Sequence, residues 1–234
     1  MNFIYKFQKV ISISLSVLLI LSASTLSAQE SVEQAIKKWE KVVSDEPQNA
    51  DAYYKLGCAY SDAGRHEDAI SALKSAVALK PDFIDAHYKL GLEYKKVFMP
   101  VAAVREFKQV VKLNPDHLKA HYNLGMIYGW AGIARGAVKH FKEVVRIDPK
   151  CESGHFNLGV AYGILHMHKK AIEAYKNAIS LKPDDAEAHY GLGYEYDQIG
   201  DKEAALKEVE ILKELNKEMA MKLYRMISHK KESY

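Results

Sequence analysis

The chain has 234 residues, with 33 lysine and arginine against 30 aspartate and glutamate residues, for a formal charge of +3. Such a balance lacks the basic excess that nucleic acid demands, and two cysteines are too few for a disulfide framework. A hydrophobic content of 48% with 27% charged residues is that of a folded protein and excludes a wholly disordered chain.

Residues 1–28 carry Lys6 and Lys9, then an almost wholly apolar run from Val10 to Leu21, then small residues leading to Ala28. A basic start, an apolar middle and a small-residue exit are the layout of a secretory signal peptide, cut after Ala28. The alternative is an uncleaved membrane anchor, because residues 10–28 give 19 mostly apolar residues, just enough to span a bilayer. The expected location is therefore periplasmic or secreted, or else inner-membrane anchored and facing the periplasm, with membrane contact only through this segment. Without it, 31 basic residues face 30 acidic ones.

Residues 29–49 form the next expected element, an N-terminal capping helix. Ser31 and Gln34 have the spacing of a capping box, and Ala35, Trp39 and Val42 make one apolar stripe. Trp39 is expected to pack on Tyr53 and Leu56.

From residue 50 the chain repeats itself. Pro47, Pro81, Pro115, Pro149 and Pro183 stand 34 residues apart, and so do Gly57, Gly91, Gly125, Gly159 and Gly193, each preceded by leucine. Tyr60, Tyr94, Tyr128, Tyr162 and Tyr196 form another column, and Ala69, Ala103, Ala137, Ala171 and Ala205 another. A fixed period of this size means stacked units, each too small to bury its own apolar face. In the first unit Tyr53, Leu56, Gly57 and Tyr60 fall on one face of a helix; Gly64 can take the positive φ that ends it, and Ala69, Leu73 and Ala76 begin a second stripe. Glycine inside a helix costs on the order of 1 kcal/mol against alanine, so the column calls for a reason. The reason expected is close approach of the two helices. Proline then closes the second helix, and Asp82, Asp116 and Asp184 are placed to cap the next.

This pattern of aromatic, Leu-Gly, Tyr, Ala and Pro resembles the tetratricopeptide repeat (TPR), and an exported bacterial member of that family in particular. The resemblance implies an all-α, right-handed superhelical solenoid. Five helical hairpins occupy 50–83, 84–117, 118–151, 152–185 and 186–217. A half-repeat helix precedes them, and a C-terminal capping helix and tail, 218–234, follows. Phe98-Met99-Pro100 and His166-Met167-His168 depart from the pattern where a loop glycine is usual, and Lys217 replaces a sixth proline, so the array should run on into the closing helix through Leu223, Met226 and Ile227.

Nothing pairs a nucleophile with a base, cradles a phosphate or converges two carboxylates. Neither enzyme activity nor a cofactor is expected. His87, His121, His155 and His189 form a column read as packing, and His166 and His168 as loop residues, because histidines one hairpin apart cannot share a zinc ion. Cys58 and Cys151 should be unpaired.

What the family resemblance implies is protein binding on the side lined by each hairpin's first helix. There Tyr54, Tyr88, Tyr122, Phe156 and Tyr190 form one column, and Cys58, Leu92, Met126, Val160 and Tyr194 another. Trp130 and Ile164 lie one turn further on, beside Gly129 and Gly163, which should leave space. Asn123 and Asn157 partly match the family's carboxylate clamp, but Tyr54 and Cys58 stand where it needs Lys and Asn, so that function is not carried over. Lys55, Lys89, Lys95 and Lys96 stand on the first two units, and Lys89, Lys95 and Lys96 would steer acidic groups. The expected partner is a cell-envelope protein offering a peptide segment or helix with an acid and a bulky apolar residue. Two alternatives stay open: aromatics that only pack between repeats, and a self-assembling scaffold of like chains. A metal carrier or enzyme is the remote one.

Overall fold

A computed structural model of the chain describes residues 29–229, so the expectations for the leader and for the last five residues lie outside the described part. Twelve α-helices and no strand occur among the described residues. Helix α1 runs through residues 29–45, and five hairpins follow: α2 (Ala50–Asp62) with α3 (His66–Leu79), α4 (Ile84–Lys96) with α5 (Pro100–Leu113), α6 (Leu118–Trp130) with α7 (Ala134–Ile147), α8 (Glu152–Ile164) with α9 (His168–Leu181), and α10 (Ala186–Gln198) with α11 (Lys202–Leu215). Helix α12 (Lys217–His229) ends the described chain. The chain divides into two compact units, Met1–Glu106 and Phe107–Tyr234.

In the first unit, Ile36 of α1 is 1% exposed and packs with Leu56, Ala59 and Ala72, with Trp39 half-buried beside them. Ile36, rather than Trp39, is thus the main plug at this end, while Trp39 turns its ring to the ammonium groups of Lys38 and Lys55 at 4.8 and 4.7 Å. The capping box does not form at a helix start, because residues 29 and 30 are already helical and Ser31 lies inside α1. In the second unit, α7, α8 and α9 share a core of Phe141, Val144, Leu158, Ala161 and Ala174. Val209, Leu212, Ala220, Leu223 and Ile227 join α11 to α12. Asn216 ends α11 and caps α12, its Oδ1 accepting from the Met219 amide at 3.1 Å, so two helices meet where the sixth proline is absent.

Four members of the glycine column sit at helix contacts. A methyl group on Gly57 would meet Leu73 at 2.6 Å, on Gly125 the Phe141 ring at 2.8 Å and on Gly159 the Tyr175 ring at 2.9 Å. At Gly193 the obstructing group is Leu223 of α12, at 2.5 Å. The closing helix therefore supplies what the second helix supplies elsewhere.

Each first helix ends in one turn. The carbonyl of the column tyrosine accepts from the amide five residues on: Arg65 to Tyr60 at 2.8 Å, Met99 to Tyr94 at 2.8 Å, Ile133 to Tyr128 at 2.8 Å, Met167 to Tyr162 at 2.9 Å and Asp201 to Tyr196 at 2.9 Å. This Schellman-type closure needs one residue with positive φ. Gly64, Gly132 and Gly200 provide it, but Phe98 (φ 56°) and His166 (φ 55°) must adopt it as well. Capping of the following helix differs from expectation by one residue: the N-caps are Asn49, Phe83, His117, Cys151 and Asp185, so Asp82, Asp116 and Asp184 lie outside the helix ends. The proline turn holds one more residue than counting from proline suggests. Asp185 does cap, accepting from the Glu187 and Ala188 amides at 3.0 and 3.2 Å.

Two stability measurements check this account. Gly125→Leu should overpack the α6–α7 contact and cost about 1–3 kcal/mol in denaturant unfolding. Phe98→Gly should stabilise the chain by roughly 0.5–1 kcal/mol, because the left-handed backbone disfavours a side chain and Phe98 is 92% exposed.

Candidate functional site

Two adjoining cavities open on the side of the second unit lined by first helices. The first, about 260 Å³, lies between α6 and α8; Met126, Gly129 and Trp130 of α6 face Phe156, Asn157, Val160 and Ile164 of α8. Its floor is Ala134, Ala137 and Phe141 of α7. The second, about 470 Å³, lies between α8 and α10 and shares Phe156, Val160 and Ile164, adding Tyr175, Glu187, Tyr190, Tyr194 and Glu195.

Of the residues expected from sequence, Met126, Trp130, Phe156, Asn157 and Ile164 come together around the first cavity, and Tyr190 enters the second. Trp130 ends α6 and is 70% exposed. Tyr122 supports the wall, its ring edge-on to Phe141 at 5.8 Å and its hydroxyl accepting from Asn157 Nδ2 at 3.4 Å. Asn157 is held in turn by donating to the Ser153 carbonyl at 2.7 Å. Phe156 meets Tyr175 edge-on at 5.8 Å, and Tyr190 donates to the Met226 sulfur at 3.3 Å, so these aromatics both pack and line the cavities.

Other expectations are corrected. Asn123 is buried and donates to the Lys119 carbonyl at 2.8 Å, which removes it from any surface. Lys96 is not a free steering charge, because its ammonium is bound to Glu93 Oε1 at 2.9 Å and Ser61 Oγ at 3.2 Å. Tyr88, Lys89 and Lys95 belong, with Lys96, to the first unit, apart from the residues lining the two cavities. Gly129 does leave open space, with nothing within 4 Å of an added methyl, whereas Gly163 makes room for the carboxylate of Glu195.

The histidine column does more than fill space. His87, His121, His155 and His189 each donate Nε2–H, at 3.0 Å, to the carbonyl of the proline six residues earlier. The ring thereby pins the turn between hairpins. The opposite nitrogen meets Glu106 in one hairpin and Glu208 in another, at 2.8 and 2.6 Å. Glu106 raises the His87 pKa through that hydrogen bond. In the third hairpin the partner is His140, with its Nδ1 at 3.0 Å from His121 Nδ1 and its ring stacked on Tyr128 at 5.6 Å. Burial, with His121, Lys139 and Lys108 nearby, lowers His140 to about 4. His168 opens α9 as a helix residue, not a loop residue, and pairs with Glu195 at 2.7 Å, while His166 takes the turn. Among the described residues no group of three His, Cys, Asp or Glu side chains is placed to hold a metal ion, and Cys58 and Cys151 are both free.

Sequence reasoning missed Phe141, Glu187, Glu195 and Tyr175. Phe141 and Tyr175 were findable, since each stands 16 residues after a column glycine. Neither acid sits in an unbroken acidic column: Glu195 shares its repeat position with Glu93, and Glu187 with Asp51 and Asp85.

An all-α stack whose first helices carry an apolar trough defines a class, the repeat proteins that bind other proteins on one face. Profiles of the tetratricopeptide repeat match residues 101–152 and 186–219, and a TPR repeat profile matches 25–64, 59–97 and 168–200. The chain belongs to the tetratricopeptide repeat family and is a protein–protein interaction module with that family's solenoid fold. No curated protein matches it. Among solved structures it is similar to YrrB, described as "a TPR protein with an unusual peptide-binding site", at 18% identity and TM-score 0.74 over 82% of this chain and 100% of that one. It is also similar to MamA protein at 26% identity and TM-score 0.67 over 74% of this chain and 94% of that one. MamA 41-end from Desulfovibrio magneticus RS-1 matches at 25% and 0.65 over 72% and 96%.

His140 sets an acid response. His140 binds its proton near pH 6.5 when unfolded and only at about 4 when folded. Between these values the unfolded chain holds more protons, so stability falls as pH drops through that window. His140→Glu, which copies Glu106 and Glu208, should flatten the loss between about pH 6.5 and 4.5 in urea unfolding. An unchanged slope would refute the role given to His140.

Proposed function

We propose that this module holds a segment or surface helix of another protein in the trough between α6 and α8, binding it without chemistry. One observation carries the reading: Trp130, 70% exposed, stands over an apolar cavity whose far wall is Phe156, Val160 and Ile164. An exposed tryptophan beside a preformed apolar pocket is the usual anchor of an interface. The repeat family to which the chain belongs supports it, as does the peptide-binding site reported for YrrB. The leader, with Lys6, Lys9 and the run from Val10 to Leu21, supports an exported module whose partner is a cell-envelope protein.

Met221 and Tyr224 favour a second reading. They are large apolar side chains on the closing helix α12, 56% and 54% exposed. End-to-end association of copies would cover them, and concentration-dependent sedimentation would reveal it.

Crosslinked pull-downs from intact envelopes with the wild type and Trp130→Ala test the first reading. The substitution should weaken partner binding by about 2 kcal/mol and leave the melting temperature nearly unchanged. Equal losses in binding and stability would overturn it.

A further inference from the structure

Glu93 and Glu195 stand 102 residues apart, three repeats, and are both buried, at 0% and 3% exposed. Each gives its Oε2 to the first histidine of the preceding second helix: His66 at 2.8 Å and His168 at 2.7 Å. Around the other oxygen they differ. Glu93 Oε1 accepts from Ser61 Oγ at 2.7 Å and from Lys96 Nζ at 2.9 Å. At the positions equivalent to Ser61 and Lys96, the later site has Gly163 and Gln198. Gly163 brings no hydroxyl, and Gln198 brings no charge, its amide reaching Asp197 Oδ2 at 3.5 Å. Glu195 Oε1 faces the bare Cα of Gly163 and lines the larger cavity.

The first unit thus shows what this carboxylate geometry accepts, a hydroxyl and a lysine ammonium, and the second unit presents the same geometry without either. An ionised carboxylate oxygen open to a cavity strongly favours a charged donor. The cavity rim adds Glu187, which is exposed, and the wall adds Tyr194, whose ring face suits a cation. Its lining contains two carboxylates and His166 but no lysine or arginine; Lys222 lies beyond it, 5.4 Å over the Tyr190 ring.

We propose that the cavity between α8 and α10 receives a lysine or arginine side chain of the partner segment, with Glu195 Oε1 at its floor and Glu187 at its rim. This rests on the trough reading above and gives the partner's chemistry: a bulky apolar residue over Trp130 and a basic residue one repeat along. Neighbouring helices lie roughly 8–10 Å apart, so about three residues of extended chain separate the two. The expectation of an acidic segment is thereby reversed for this unit.

The test pans a phage-displayed random peptide library against the protein and measures selected peptides by fluorescence anisotropy. Enriched peptides should carry lysine or arginine about three residues from Trp, Phe or Leu. Gln198→Lys, which supplies the chain's own ammonium as Lys96 does, should reduce their affinity about tenfold, as expected for a charged hydrogen bond already taken. Glu187→Gln should reduce it by roughly threefold. Alanine in place of the peptide's basic residue should abolish both effects. A melting temperature for Gln198→Lys at or above the wild type shows that the loss is local; were it lower, the Glu187→Gln and peptide results decide. Peptides that need Trp130 but carry no basic residue, or ignore both substitutions, would overturn this inference and leave the trough standing. Absence of any Trp130-dependent peptide would overturn both. Self-association abolished by Trp130→Ala would place a second copy in the groove and also overturn it.

Discussion

A side chain from a neighbouring helix lies directly on the bare Cα of a glycine in the first helix of a hairpin, and the other packing follows from that contact. Leu73 on Gly57, Phe141 on Gly125 and Tyr175 on Gly159 set how near two helices come. At that distance only small residues fit between them, which is why Ala69, Ala137 and Ala171 are at most 1% exposed. A hairpin so built still has one apolar face uncovered, and the next hairpin covers it. At the end of the array Leu223 takes the place over Gly193, so α12 completes the last hairpin as well as shielding it.

Polar contacts then hold the turns between hairpins. The histidine Nε2–H bonds to the proline carbonyls repeat at 3.0 Å and satisfy backbone acceptors in a turn where proline has removed a donor. The same framework tolerates different chemistry at the opposite ring nitrogen: Glu106, His140 and Glu208 occupy one column, and Ala174 is the fourth member. Individuality enters through such second positions while the pin is kept. Glu93 and Glu195 follow the same logic, with a common histidine contact and different company on the other oxygen.

The apolar trough arises where several repeats relax at once. Gly129 leaves space beside Trp130, and Met126, Val160 and Ile164 replace the polar residues that a solvent-facing helix position would carry. The floor comes from α7, whose Phe141 also supplies the contact on Gly125, so the cavity lining and the core share a residue.

Helix type, the hairpin repeat and four of the glycine contacts were legible in the residues, because each depends on a local period of 3.6 or on the 34-residue repeat. Trp130 was legible for the opposite reason, as a large residue outside every column. Less could be read where a side chain chooses among partners that are distant in sequence. Asn123 and Asn157 look alike in the chain, yet one is buried on its own helix and the other holds the wall of a cavity. Lys96 reads as a surface charge until Ser61 and Glu93 are brought beside it, and Gly163 reads as a gap until Glu195 fills it. Periodicity by itself therefore determined which helices form and which faces they bury. Only the tertiary structure decided which polar groups remain available to a partner, because a buried carboxylate binds whichever donor the neighbouring repeat places within about 3 Å.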